Sequence, residues 1–225
     1  MRLEQQKTFQ ISLRGRFLTS YKKAVAAVAV VFTLAQANNV FAYGVGLSTF
    51  PLSEGTKAVS AEATGVVTRG GGAGIQARYS QKLNNITTVD AGFGISGGER
   101  SGRVFAGMDY EILPDYEKQP RMSLKAIIQN SKDFGASNNS FSLAPTFSKG
   151  LNVQGKEVYP YLAIPYGVML NSDSKTYETT LNLALGANGH LPIEGYERWI
   201  ANVEVTANLQ DSYSGVFVGL SYPIN

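Results

Sequence analysis

The chain of 225 residues contains no cysteine, one histidine and one tryptophan, and only 16% of its residues are charged. Without cysteine there is no disulfide scaffold, no thiolate zinc site, no thiol nucleophile and no lipid-modified cysteine anchor. Proline is also sparse, at 8 residues against 24 glycines. No Pro/Ser-rich linker, low-complexity tract or repeat of roughly 20–50 residues divides the chain, so it reads as one domain. What is present is a hydrophobic share of 44% and an aromatic share of 11%, a composition that excludes a disordered chain.

The formal net charge of +3 is concentrated at the start of the chain. Lys22 and Lys23 precede an apolar run from Ala24 to Ala35, which leads to Val40-Phe41-Ala42. A basic flank, an apolar stretch of about a dozen residues and a small-residue site are the parts of a secretory signal. The run falls short of the roughly 20 apolar residues of a spanning helix. It is also apolar on every side, unlike the single stripe of an amphipathic core helix. Residues 1–42 are therefore expected to be a signal peptide cut between Ala42 and Tyr43. That segment holds six of the 20 basic residues and one of the 17 acidic ones, so the chain from Tyr43 onward carries a net −2. Its charge gives no reason to expect a nucleic-acid partner.

Residues 43–56 read as a lead-in or an additional strand. From Lys57 to the C-terminus, residues 57–225, apolar and polar residues alternate with period two, the signature of strands with two unlike faces. Clusters such as Ser96-Gly97-Gly98, Leu113-Pro114-Asp115, Asn171-Ser172-Asp173-Ser174 and Asn188-Gly189 interrupt the alternation and delimit ten strand-like segments. The apolar faces of all ten hold no charged residue. The opposite faces hold six basic residues, Arg78, Lys82, Arg103, Arg121, Lys125 and Arg198, and six acidic ones, Glu62, Asp90, Asp109, Glu111, Glu178 and Glu204.

Such alternation fits a soluble β-sandwich, with the apolar face as core, or a membrane barrel, with the apolar face in lipid and the polar face in the lumen. An even strand number and segments near the 9–11 residues that cross a bilayer at a tilt favour the barrel. So do aromatics at the segment ends, Tyr79, Tyr110, Tyr166, Tyr177, Trp199 and Tyr222, because tyrosine and tryptophan favour the membrane interface. Pro145, Pro160 and Pro165 oppose it, since each lacks a ladder donor and needs a bulge or a rim. The fold expected is all-β, an antiparallel up-and-down transmembrane barrel of about ten strands.

With its alternating last segment, Gly215-Val216-Phe217-Val218-Gly219-Leu220-Ser221-Tyr222, the chain resembles the small outer-membrane β-barrel proteins of Gram-negative bacteria, the porin-like superfamily, at the level of architecture. Its aromatic stands three residues before the terminus, whereas those families end on it. The resemblance implies periplasmic termini, outer-membrane lipid and lipopolysaccharide as surroundings, and the outer-membrane assembly machinery as partner during biogenesis. It implies a structural, surface-interaction or narrow passive-pore role without a cofactor, and leaves the oligomeric state open. A secreted or periplasmic β-sandwich binding module and an outer-membrane lipid-modifying enzyme are the alternatives.

No catalytic or metal-binding motif competes with this reading. His190 has neither a His-x-Ser nor an Asp-His arrangement beside it, so it reads as a solvated turn residue. The glycine run Gly70 to Gly74 follows a strand, but no helix opens after it to hold a phosphate. Asn171 to Ser174 lacks the spaced acidic series of a calcium loop. With charges of both signs in equal number, mutual ion pairing is expected to leave a narrow or closed lumen, with at most a small pore of weak ion preference.

Overall fold

The computed structural model describes residues 44–224, apart from 68–71, 98–99, 134 and 154. The expected cleavage site at Ala42 and Tyr43 lies outside the described residues. A short 3-10 turn, Gly46–Thr49, precedes twelve strands: β1 (Lys57–Val66), β2 (Gly72–Asn84), β3 (Thr87–Ser96), β4 (Arg100–Leu113), β5 (Arg121–Asp133), β6 (Ala136–Ser148), β7 (Leu151–Val153), β8 (Lys156–Ala163), β9 (Tyr166–Asn171), β10 (Thr176–His190), β11 (Ile200–Gln210) and β12 (Gly215–Ile224).

These strands fill ten positions of one wall. β7 extends β6 beyond Lys149-Gly150, and β8 and β9 lie end to end between β6 and β10, parted at Ile164-Pro165. All pairings are antiparallel, and β12 pairs with both β11 and β1, which closes the sheet. Closure removes the free edges that an open sheet exposes, and it sets aside the two-layered sandwich. The strands are steeply staggered. A path across the ladders from Lys57 passes Gln81, Val89, Met108, Ala126, Leu143, Tyr166 and Leu181 and arrives at Gln210, the last residue of β11. Such a stagger accompanies the strand tilt that barrel closure requires.

The two faces are the reverse of those of a water-soluble protein. Ile75, Phe93, Ile95, Val104, Ile128 and Val205 stand exposed on the outside, while Arg78, Lys125, Asp109 and Glu204 are buried within. This matches the alternation of the sequence along β2 and along β5 from Arg121 to Ala126. The three prolines sit where the wall is broken or short of donors. Pro145 and Pro165 flank the gap between β8 and β9, and their carbonyls still accept from Ile164 N–H (3.0 Å) and Asn182 N–H (2.9 Å). The Pro160 carbonyl accepts from Lys149 N–H (3.2 Å). On the inner face, small residues make room for large ones. A Cβ at Gly186 would lie 2.3 Å from Cζ of Tyr161, its cross-strand partner, so the tyrosine ring occupies the space that glycine leaves.

Three details differ from the sequence reading. Asn188-Gly189 is not a turn: β10 runs through it to His190, pairing with Asn202 and Ala201 on one side and Tyr159 and Val158 on the other. Tyr166 is not at the end of a wall position, because β9 continues the line of β8. It lies in register with Leu143 and Leu181. Arg198 is not on a strand but exposed in the loop before β11, with its guanidinium carbon 5.2 Å from the Tyr222 ring centroid. The other rim aromatics expected on the outside are there: Tyr79, Tyr110 and Tyr177 are exposed, and Trp199 packs on Tyr222 with centroids 5.2 Å apart.

The outward face tolerates no charge in mid-wall. Ala106, in register with Ala91 and Ile128 on the outside of β4, provides the test. Ala106→Arg is expected to destabilise the folded barrel by about 2–4 kcal/mol, because a guanidinium would face lipid. Equilibrium unfolding by urea from lipid vesicles measures it, and an unchanged midpoint would contradict the assignment of this face.

Candidate functional site

The lumen is where the chemistry-bearing residues converge, and Arg78 is at its centre. Period-two alternation on β1, β2 and β3 turns Glu62, Arg78 and Asp90 inward side by side. Arg78 Nε donates to Glu62 Oε1 (2.9 Å) and Nη2 to Glu62 Oε2 (3.1 Å), while Nη1 donates to Asp90 Oδ2 (2.6 Å). Lys125 Nζ, from β5, donates to the same Asp90 oxygen (2.7 Å), and Gln76 Nε2 donates to Glu62 Oε2. All of these side chains are nearly or fully buried. Burial of an unpaired charge is costly, so the pairs hold one another in place.

A second cluster lies toward the end of the barrel that carries the termini. Arg121 donates through Nε to Glu111 (2.7 Å), through Nη1 to Ser123 Oγ (2.9 Å) and through Nη2 to Asp109, and Ser123 Oγ donates to Asp109 Oδ1 (2.7 Å). Lys82 is buried in the same half. Arg103 is buried in the other half, with its guanidinium 5.2 Å from the Phe105 ring centroid. Glu178 is exposed in the far mouth, where it lines a depression of about 170 Å³ with Asn138, Met169, Asn171, Thr176 and Tyr213. Of the charges expected in the lumen, Arg198 alone is placed elsewhere.

The lumen also holds the chain's own segment Gly44–Thr49, part of the stretch read above as a lead-in or an additional strand. All six residues are buried, and polar side chains of the wall grip their main chain. Arg78 Nη2 donates to the Gly44 carbonyl (3.1 Å), Lys125 Nζ to the Val45 carbonyl (2.7 Å) and Asn188 Nδ2 to the Gly46 carbonyl (3.3 Å). In the other direction, Val45 N–H donates to Glu204 Oε2 (2.7 Å), which also accepts from Tyr161 Oη (2.6 Å). Asn202 Nδ2 donates to Asn188 Oδ1 (2.7 Å), orienting the Asn188 amide toward the Thr49 hydroxyl (2.5 Å). Val45 packs among Tyr161, Ala163 and Ala184, and Leu47 packs on Ala58 and Ile200 with Phe50 and Leu52 alongside. Gly46 has φ +70°, and a Cβ there would stand 2.6 Å from Arg78 Nη1. Only glycine fits so close an approach in that conformation.

No described protein family matches the sequence, and no curated protein matches it. Solved structures of similar fold include an outer membrane channel from Pseudomonas putida, 9% identical, covering 81% of this chain and 100% of that one with a TM-score of 0.48. Others are the translocator domain of the autotransporter NalP from Neisseria meningitidis (13% identical, 89% and 97% covered, TM-score 0.41) and the N-terminal β-barrel domain of OprF from Pseudomonas aeruginosa (14%, 76% and 100%, 0.30). The chain has the architecture of a transmembrane β-barrel. That statement stands on its own strand pairing and inverted faces.

The His190 ring packs edge-on against Phe50, 5.2 Å between centroids at 88°. Among the described residues no group of three His, Asp or Glu side chains is arranged to hold a metal ion. At the barrel's end, in the 114–120 loop, Asp115 takes part in a rim clasp. It accepts from Lys149 Nζ and from Gly150 N–H (2.6 Å). Its partial burial favours the neutral acid, but the Lys149 and Gly150 hydrogen bonds and the Lys149 charge outweigh that and hold the carboxyl below its usual range.

Two outcomes follow. Arg78→Met takes from Glu62 and Asp90 the cation they share and is expected to cost about 3–5 kcal/mol in an unfolding titration, whereas a change below 1 kcal/mol would show that the pairs are not what holds the lumen. The rim clasp is stabilising above the unfolded carboxyl pKa and is lost as pH falls through the lower folded value. Limited proteolysis of the 114–120 loop should therefore accelerate in acid below the ordinary carboxylate range, and Asp115→Asn should be fast at neutral pH as well.

Proposed function

We propose that the protein is exported through a signal peptide removed between Ala42 and Tyr43 and resides in the outer membrane of a Gram-negative bacterium, where it forms a barrel whose lumen is closed at rest. Its role in this reading is structural, or that of a narrow passive pore that the resting state does not open. The observation that carries it is the double occupation of the lumen. Paired charges from β1, β2, β3 and β5 meet across the interior, and Gly44–Thr49 fills the space beside them. A wall with apolar residues outside and charges inside needs lipid around it, which supports a membrane location, and outer-membrane lipid and lipopolysaccharide are the surroundings proposed. Delivery there would use the outer-membrane assembly machinery, reading the alternating β12 strand. A lipid-modifying activity finds no support in the placement of His190.

Purification from outer-membrane fractions and reconstitution into planar bilayers tests this reading. The expected product begins at Tyr43, migrates faster unboiled than boiled, and gives a baseline free of large conductance steps. A soluble protein, or large stable conductances from the unmodified chain, would refute it.

A further inference from the structure

We propose that Gly44–Thr49 is a detachable gate, and that its withdrawal opens a narrow path through the lumen with a preference for small cations. The proposal rests on the closed-at-rest reading above and adds what closes the lumen and what would pass.

The first ground is the way the segment is held. Among the described residues no main-chain hydrogen bond joins Gly44–Thr49 to the wall. Among the described residues it is gripped by side chains, those of Arg78, Lys125, Asn188, Asn202 and Glu204, with Val45 and Leu47 as apolar anchors. Removing it breaks no ladder pairing, so the barrel can persist without it. The charges of the wall also retain partners, because Arg78 pairs with Glu62 and Asp90, and Lys125 with Asp90.

The second ground is the space the segment leaves. Val45 lies against Ala163 and Ala184, and the inner face nearby also carries Ala144, all fully or almost fully buried. These short side chains cannot extend into the vacated volume. The third ground is charge. Around the segment stand three carboxylates, Glu62, Asp90 and Glu204, against two cations, Arg78 and Lys125. Glu204 loses the Val45 N–H as donor when the segment leaves and, among the described residues, keeps the hydroxyls of Tyr161 and Thr206. A carboxylate left to line a narrow water-filled path favours cations over anions.

Gly46 supplies the variant that separates gate from wall. Gly46→Val places a branched side chain against Arg78 at a positive φ and evicts the segment without altering any strand. Deletion of residues 44–50 does the same by removing it. In planar bilayers both variants are expected to show steady small conductances absent from the unmodified protein, with a reversal potential displaced toward that of K+ in a KCl gradient. Glu204→Gln in either background should bring the reversal potential back toward zero. The absence of cysteine allows a lock: oxidised Val45→Cys/Ala184→Cys should stay silent. Folded, heat-modifiable variants as silent as the unmodified chain would overturn the gate while leaving the closed-at-rest reading intact. An unmodified protein that already conducts strongly would overturn that reading first. Should neither evicting variant fold, Ala184→Cys alone decides the question. Labelling of reconstituted protein by a membrane-impermeant thiol reagent supports withdrawal of the segment, and full protection over hours overturns it.

Discussion

An arginine placed inside a closed barrel cannot shed its charge, and the arrangement of the lumen follows from that constraint at Arg78. Its five donors have to be met by acceptors that the surrounding strands deliver at the right height. Antiparallel registry does this: Glu62 is opposite Gln76 and Asp90 opposite Ser80, which places one carboxylate on each side of Arg78 along neighbouring strands. The fork of the guanidinium takes both, and a further donor reaches the main chain of the lumen segment. Asp90 is shared with Lys125, so the same pairing ties β2 and β3 to β5 across the interior.

The outside of the wall fixes what the inside can do. Because side chains alternate, a slip of one residue in any pairing would expose charges to lipid and bury leucine and valine in a polar lumen. From β1 to β5 register is thus specified twice, by transfer of apolar side chains into lipid on one face and by ion pairing on the other. This double constraint also explains the missing cysteines: closure through ladders on both sides of every position leaves no loose edge for a disulfide to secure.

Period two made the faces legible, since Ile75, Ala77 and Tyr79 on β2 and Met122, Leu124, Ala126 and Ile128 on β5 all turn outward, although Ile127 is apolar and buried within. The pairings themselves were not legible, because the carboxylate that meets a given cation depends on register and not on spacing along one strand. Three local signals misled. Asn-Gly is a strong hairpin signal because both residues tolerate positive φ, yet in β10 Asn188 is needed as an inward amide and Gly189 lies within the ladder. Pro165 divides a wall position without ending it, which moved Tyr166 from rim to wall. Arg198 had the parity of an inward residue, but β11 begins only at Ile200. The lumen segment left no trace at all. A stretch held by side chains from distant strands has no periodicity of its own, and its one distinguishing residue, Gly46, looks like any other glycine until Arg78 is placed beside it.

Barrel size gives the reason such a segment is present. Eight strands enclose an interior that side chains can fill, and sixteen enclose water. Ten strands lie between, and this wall economises on bulk: Ala144, Ala163, Ala184 and Gly186 face inward on consecutive positions, and the large inward side chains, Phe105, Tyr161 and Phe217, fill only part of the section. Charged side chains cannot make up the difference, because each must stay within reach of a partner and cannot spread to fill a void. A length of main chain can. It brings carbonyls and N–H groups that match the cations and carboxylates already there, along with Val45 and Leu47 to meet the small apolar surfaces. Lumen charge and lumen volume are therefore met together, and two of the residues that grip the segment, Arg78 and Lys125, are also ion-paired to Asp90.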